Sequence, residues 1–93
     1  MTFKVQLNGS RVLITGGASG LGRQLAIQSA AKGAEVIIWD MNLDAATKVA
    51  GEIVNAGGTA SAHRVDITNR DAVNTLALEV GSVDVLFNNA GVV

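Results

Sequence analysis

The 93 residues contain no cysteine, no proline and no tyrosine, and aromatic side chains make up only 3% of them. Lack of cysteine excludes disulfides, zinc-thiolate centres and thiol nucleophiles, and it suits a reducing cytoplasm. Lack of proline fits regular elements joined by short glycine turns, for which 11 glycines are available. Lack of tyrosine removes one of the common general acids. Seven Lys and Arg against eight Asp and Glu lie scattered along the chain, so it lacks the basic stripe that nucleic acid requires. No apolar run approaches the ~20 residues of a membrane span. Met1 to Asn8 alternates polar and apolar residues, without the apolar stretch of a signal peptide.

What is present is aliphatic: hydrophobic residues make up 48% of the chain. A chain of this length makes one small domain, spanning 1–93, and buries only about 60–65% of the surface its unfolded form exposes. Either the core is unusually rich in aliphatic residues, or part of the apolar surface expects a partner.

Apolar runs alternate with helical patterns. The strand-like runs are Val12-Leu13-Ile14, Glu35 to Trp39, Thr59 to Val65 and Val83 to Phe87. They read as continuous apolar strands, which suit a sheet covered on both faces. A first helix is expected from about Gly20 to Lys32, with Leu21, Leu25 and Ala26 on its inner face and Gly33 as its stop. A second runs from about Asn42 to Ala56, with Leu43, Ala46, Ala50 and Ile53 at helical spacing. Asn42 is its N-cap and Gly57-Gly58 its close. A third spans about Asn69 to Val80, where Val73, Leu76, Ala77 and Val80 share a face and Thr68 and Asp71 have capping-box spacing. The order β-α-β-α-β-α-β predicts an α/β fold, half of a doubly wound parallel sheet with strand order 3-2-1-4.

Between the first strand and first helix lies Thr15-Gly16-Gly17-Ala18-Ser19-Gly20-Leu21-Gly22. Gly16 permits a tight turn, Gly20 clears space for a pyrophosphate, and Gly22 lets the helix pack closely. The free N–H groups at the helix start favour the phosphate charge. Asp40 ends the second strand 18 residues after Gly22; an acidic residue about 20 residues on accepts from the ribose hydroxyls of NAD. Asp66 ends the third strand, and Asn88-Asn89-Ala90-Gly91 follows the fourth.

This spacing departs from the G-x-G-x-x-G of ordinary Rossmann dehydrogenases and resembles the T-G-x-x-x-G-x-G of the short-chain dehydrogenase/reductase family. The resemblance covers essentially the whole chain and includes the family's N-N-A-G motif in full. It implies a Rossmann-type cofactor-binding half with Gly16, Ser19, Gly20, Leu21 and Gly22 at the pyrophosphate and Asp40 at the ribose. It also implies Asp66 and the Ile67 N–H at the adenine, Asn88 beside the adenosine ribose, and Ala90 and Gly91 along the path to the nicotinamide. Family members using NADP usually carry a basic residue at the positions held here by Ser19 and Met41, so NAD is the expected cofactor. The stretch from Asp66 to Asn88 is about four residues shorter than the family's usual spacing, about one helical turn, which trims the third helix.

In the family, hydride transfer uses a Tyr, a Lys four residues later, a Ser and a helix Asn, all beyond N-N-A-G. None is identifiable here, so the expected activity is cofactor binding by the N-terminal portion of an oxidoreductase, catalytically incompetent alone. A self-standing NAD or adenine-nucleotide module, or an interaction protein with a vestigial site, are the other readings. The expected partners are the dinucleotide and either the remaining half of such an enzyme or a second copy paired along strand 4. His63 and Trp39 read as ordinary strand and packing residues, and Asp44, Glu52 and Glu79 as solvated helix residues. No cluster has metal-ligand spacing.

Overall fold

The computed structural model describes residues 7–89. The elements are β1 (Arg11–Thr15), α1 (Gly20–Ala31), β2 (Glu35–Asp40), α2 (Leu43–Asn55), β3 (Thr59–Arg64), α3 (Arg70–Val80) and β4 (Val85–Asn88). The strands form one parallel sheet in the order β3-β2-β1-β4, as the alternation of elements dictates. The fourth strand begins two residues later than its apolar run suggests. Asp84 is taken instead by β1: the Arg11 N–H donates to its carboxylate at 2.8 Å, and its own N–H donates to the Arg11 carbonyl at 2.9 Å.

Register sorts the side chains into two faces. Val12, Val36, Ala60 and Val85 form one row, and Ile14, Ile38, Ala62 and Phe87 the next. These rows meet α1 and α2 in the larger core, where Val12, Ile14, Val36 and Ile38 are fully buried. Leu13, Ile37 and Trp39 face the other way and join Val65 in a smaller core under α3. A sheet that buries both faces needs no polar alternation, which explains the unbroken apolar run of β2.

The helices differ in how they reach the sheet. In α1 the buried residues are Gly22, Ala26 and Ser29, not the expected Leu21 and Leu25. Leu21 is 65% exposed, while Leu25 packs at the margin of the core. At Gly22 nothing larger fits, because the helix start lies against the Gly16 carbonyl. In α2 the inner face is Ala46, Val49, Ala50 and Ile53; Leu43, expected inside, stands in the first turn beyond the sheet and is exposed. Asn42 caps α2 as expected, accepting the Ala45 N–H at 3.0 Å. Gly57, in the left-handed region at φ 93°, closes it: the Gly58 N–H reaches back to the Ile53 carbonyl at 2.9 Å.

Helix α3 is held more thinly. It contains no buried residue, and its contacts to the second core come from Val73, Leu76 and Val80. Ala77, expected on that face, is exposed. The capping box does not form, because Thr68 is committed elsewhere. Its N–H and hydroxyl both donate to Asp66, and Asn69 is the N-cap in its place, accepting from the Ala72 N–H at 3.1 Å. The far end of α3 is fastened by Arg11, whose guanidinium donates to the Val80 and Ser82 carbonyls and pairs with Glu35 at 3.4 Å. One side chain thus satisfies a helix-terminal carbonyl and ties α3 to the sheet.

Replacing Arg11 by Ala removes this fastening. We expect a loss of about 1–2 kcal/mol in urea unfolding, with faster amide exchange in α3 than in β2; unchanged exchange in α3 contradicts the assigned role.

Candidate functional site

The C-terminal ends of all four strands open on one edge of the sheet, and the crevice lies where neighbouring connections leave in opposite directions. In open α/β sheets this is where ligands bind. Here α1 and α2 leave toward one face and α3 toward the other, so β1 and β4 flank the switch point.

The turn after β1 is shaped by its glycines. Gly16 and Gly20 lie in the left-handed region, at φ 67° and 56°. A Cβ at Gly20 would meet nothing within 4 Å, so the turn is open on that side. A Cβ at Gly22 would lie 2.0 Å from the Gly16 carbonyl oxygen, which no side chain tolerates. Among the described residues nothing caps the first turn of α1: Ser19 occupies the N-cap position in an extended conformation without a side-chain cap bond, and no acidic residue lies in that turn. Both other helices carry an Asn cap and an Asp in the first turn. The N-terminus of α1 therefore presents free N–H groups and an uncompensated positive dipole end, the arrangement that suits a phosphate.

Asp40 sits beside this turn. One carboxylate oxygen accepts the Ala18 N–H at 3.1 Å and the other the Asn42 N–H at 2.9 Å. The carboxylate thus locks the glycine turn to the start of α2, and each oxygen retains acceptor capacity for a hydroxyl. Gly16, Trp39, Asp40, Met41, Val65 and Ile67 line a shallow pocket between the ends of β1, β2 and β3. Between Val65 and Ile67 in the chain, Asp66 accepts both bonds from Thr68 on a single oxygen; its other oxygen has no partner among the described residues. Those two bonds, aided by the charge of Arg64, hold the Asp66 carboxyl below its ordinary value of 3.8.

Two residues outside the expected site set complete the frame. The Thr15 hydroxyl donates to the Asn88 carboxamide at 3.0 Å and accepts the Asn89 N–H at 3.0 Å. The Asn89 side chain donates to the Gly16 carbonyl at 3.2 Å. Thr15 and Asn89 thereby join β4 to the glycine turn. Both were visible in the sequence as members of the two motifs; only the partners were not. Asn88 is exposed at the end of β4, Leu21 points to solvent, and Ile67 is 41% exposed at the pocket. Trp39 is buried, as a packing residue should be, although its Nε1 finds no partner among the described residues. Ala90 and Gly91 lie outside the described residues. No group of His, Asp and Glu able to hold a metal occurs among the described residues, and no helix there is long and apolar enough to cross a membrane.

A parallel sheet with a glycine turn at its switch point defines a Rossmann-like α/β domain. Residues 10–93 match the model of the family described as short chain dehydrogenase, and the chain belongs to that family. It is 43% identical over 91 residues to the 7alpha-hydroxysteroid dehydrogenase of Escherichia coli strain K12, covering 94% of this chain and 36% of that enzyme. Among solved structures it superposes on a metagenomic short-chain oxidoreductase in complex with NADP, at TM-score 0.88 and 36% identity, covering 95% of this chain and 42% of that one. A 7 alpha-hydroxysteroid dehydrogenase complexed with NADH and 7-oxo glycochenodeoxycholic acid matches at TM-score 0.80 and 40% identity, covering 87% of this chain and 33% of that one. The chain thus spans little more than a third of the length of the curated relative.

Two outcomes test the site's geometry. Gly22→Ala should cost more than about 3 kcal/mol or prevent folding, because the added Cβ meets the Gly16 carbonyl, which is backbone and cannot swing aside, and the Asn89 carboxamide; a variant of normal stability contradicts the close approach. Asp66 should titrate below 3.8 by NMR, and Thr68→Val should raise that midpoint. The sign follows from linkage. A depressed folded-state pKa contributes stability that is complete above the unfolded value and fades as pH falls through the folded one.

Proposed function

We propose that these residues are the NAD-binding portion of a cytoplasmic short-chain oxidoreductase, one that moves hydride between NAD and an alcohol or carbonyl. The observation carrying this reading is the convergence of three different acceptors and donors on one crevice. The N-terminus of α1, the Asp40 carboxylate and the Asp66 oxygen with no partner among the described residues support this reading, as groups suited in turn to a phosphate, a ribose and an adenine. Bound NAD supplies the hydride chemistry; the chain's own residues hold and orient it. The α1 N–H groups meet the pyrophosphate, with Gly20 leaving room for it. Asp40 accepts from the ribose hydroxyls, Asp66 accepts from the adenine amino group, and the Ile67 N–H donates to the ring. Asn88 lies by the ribose, and Ala90-Gly91 leads toward the nicotinamide.

NAD is favoured over NADP because a 2′-phosphate would face the Asp40 carboxylate, and neither Ser19 nor Met41 supplies a countercharge. The absence of tyrosine from all 93 residues means that the family's general acid must come from residues outside them. These residues bind cofactor and do not turn it over. The half-sheet itself points to a further partner: β4 is an edge strand among the described residues, with Leu86 57% exposed. An apolar edge of this kind pairs with more chain, whether the rest of the oxidoreductase or a second copy.

Calorimetric titration of the chain with NAD and NADP tests the reading. We expect NAD to bind more tightly, and Asp40→Ala to weaken NAD by about tenfold while narrowing the gap, as loss of a charged hydrogen bond implies. Equal binding of both nucleotides, unaffected by Asp40→Ala, overturns it. Light scattering reports the edge: a monomer at high concentration rules out pairing between copies.

A further inference from the structure

Beside the glycine turn, α1 and α2 enclose an open cleft. Ser19, Gly20 and Arg23 line one side, and Lys48 and Glu52 line the other. Its charges are two cations and one anion, and they are not equally available. Arg23 Nη2 is paired with Glu52 Oε2 across the helices. Lys48 makes no ion pair among the described residues and is exposed. The Arg23 and Glu52 side chains are 41% and 36% exposed, so both are within reach of a ligand in the cleft. Asp40 accepts the N–H of Ala18 at 3.1 Å, and Ala18 lines the same cleft.

We propose that Glu52 is a specificity-determining residue: by occupying Arg23 it withholds a cation from the cleft that a 2′-phosphate would enter, and so disfavours NADP. The inference rests on the cofactor reading above and extends it to a residue remote from the motifs. A dianionic phosphate placed between Ser19 and α2 gains from each free cation and loses from each carboxylate. With Glu52 in place the cleft offers Lys48 alone, against the carboxylates of Asp40 and Glu52. Without it, Arg23 turns free, and its planar fork matches a phosphate. NAD lacks the 2′-phosphate, so it gains less from the freed cation than NADP does.

The test compares NAD and NADP binding to the wild-type chain, Glu52→Gln and Glu52→Ala by calorimetry, with circular dichroism confirming the fold of each. Both variants should bind NADP about two- to fivefold more tightly, the range a partly exposed ion pair supports, with a smaller gain for NAD. The gain should disappear in the double variant Arg23→Gln/Glu52→Gln and shrink in about 0.5 M salt. A folded Glu52 variant whose NADP affinity does not move, beside a wild type that binds NAD, overturns this inference alone. An equal gain for both nucleotides also overturns it. A wild type that binds neither overturns the cofactor reading, and this inference with it.

Discussion

The crevice depends on how closely the first turn of α1 approaches the end of β1. With no side chain at Gly22, the helix start comes down onto the Gly16 carbonyl, to within 2.0 Å of where a Cβ would stand. That approach sets the height of the start of α1 above the sheet, and the small residues Gly22, Ala26 and Ser29 form the buried face of the helix. It also brings the unclaimed N–H groups of the helix into the mouth of the sheet. Around this contact three polar ties converge: Asp40 on Ala18, Asn89 on Gly16, and Thr15 on both Asn88 and Asn89. The turn is thus fixed from β2 on one side and from β4 on the other before any ligand arrives. Preorganisation of this kind lowers the ordering cost that binding would otherwise carry.

The strand order and element order were legible because each apolar run is short, bounded by glycine or a polar turn, and separated by a clear helical period. The motifs of the candidate site were legible for a different reason. Glycines at fixed offsets between a strand and a helix have few structural alternatives, and Asp40 and Asp66 fall at strand ends where turn chemistry and ligand chemistry coincide. Periodicity failed where tertiary geometry overrode it. Leu21 and Leu43 match an inward stripe, yet each stands in the first turn of its helix, above the sheet, where no core exists to receive it. Thr68 matches a helix cap in spacing, but Asp66 is nearer and takes both its N–H and its hydroxyl. The pairing of Glu52 with Arg23 joins residues 29 apart on separate helices, and nothing in their local sequence marks it; Glu52 reads there as an ordinary solvated residue.

The two faces of the sheet are unequal. The face under α1 and α2 is closed by fully buried aliphatic side chains. The face under α3 has a smaller core, and its helix buries no residue and leaves Leu78 85% exposed. Arg11 compensates at one end by binding the terminal carbonyl of α3 and the loop beyond it. The inequality follows the fold's logic: β4 and the second face are where a doubly wound sheet continues. The candidate crevice is built mostly from the stronger side, which is why its geometry is set within these residues.

The central claim, that one crevice at the strand ends is shaped for an adenine dinucleotide, is tested most directly by mapping backbone amide shifts in a two-dimensional NMR titration with NAD. The account expects the largest changes at Ser19 to Gly22, Asp40 to Met41 and Asp66 to Ile67, with α3 and the Arg11 end of the sheet quiet. Changes centred elsewhere, or none at saturating NAD in a folded chain, would contradict it.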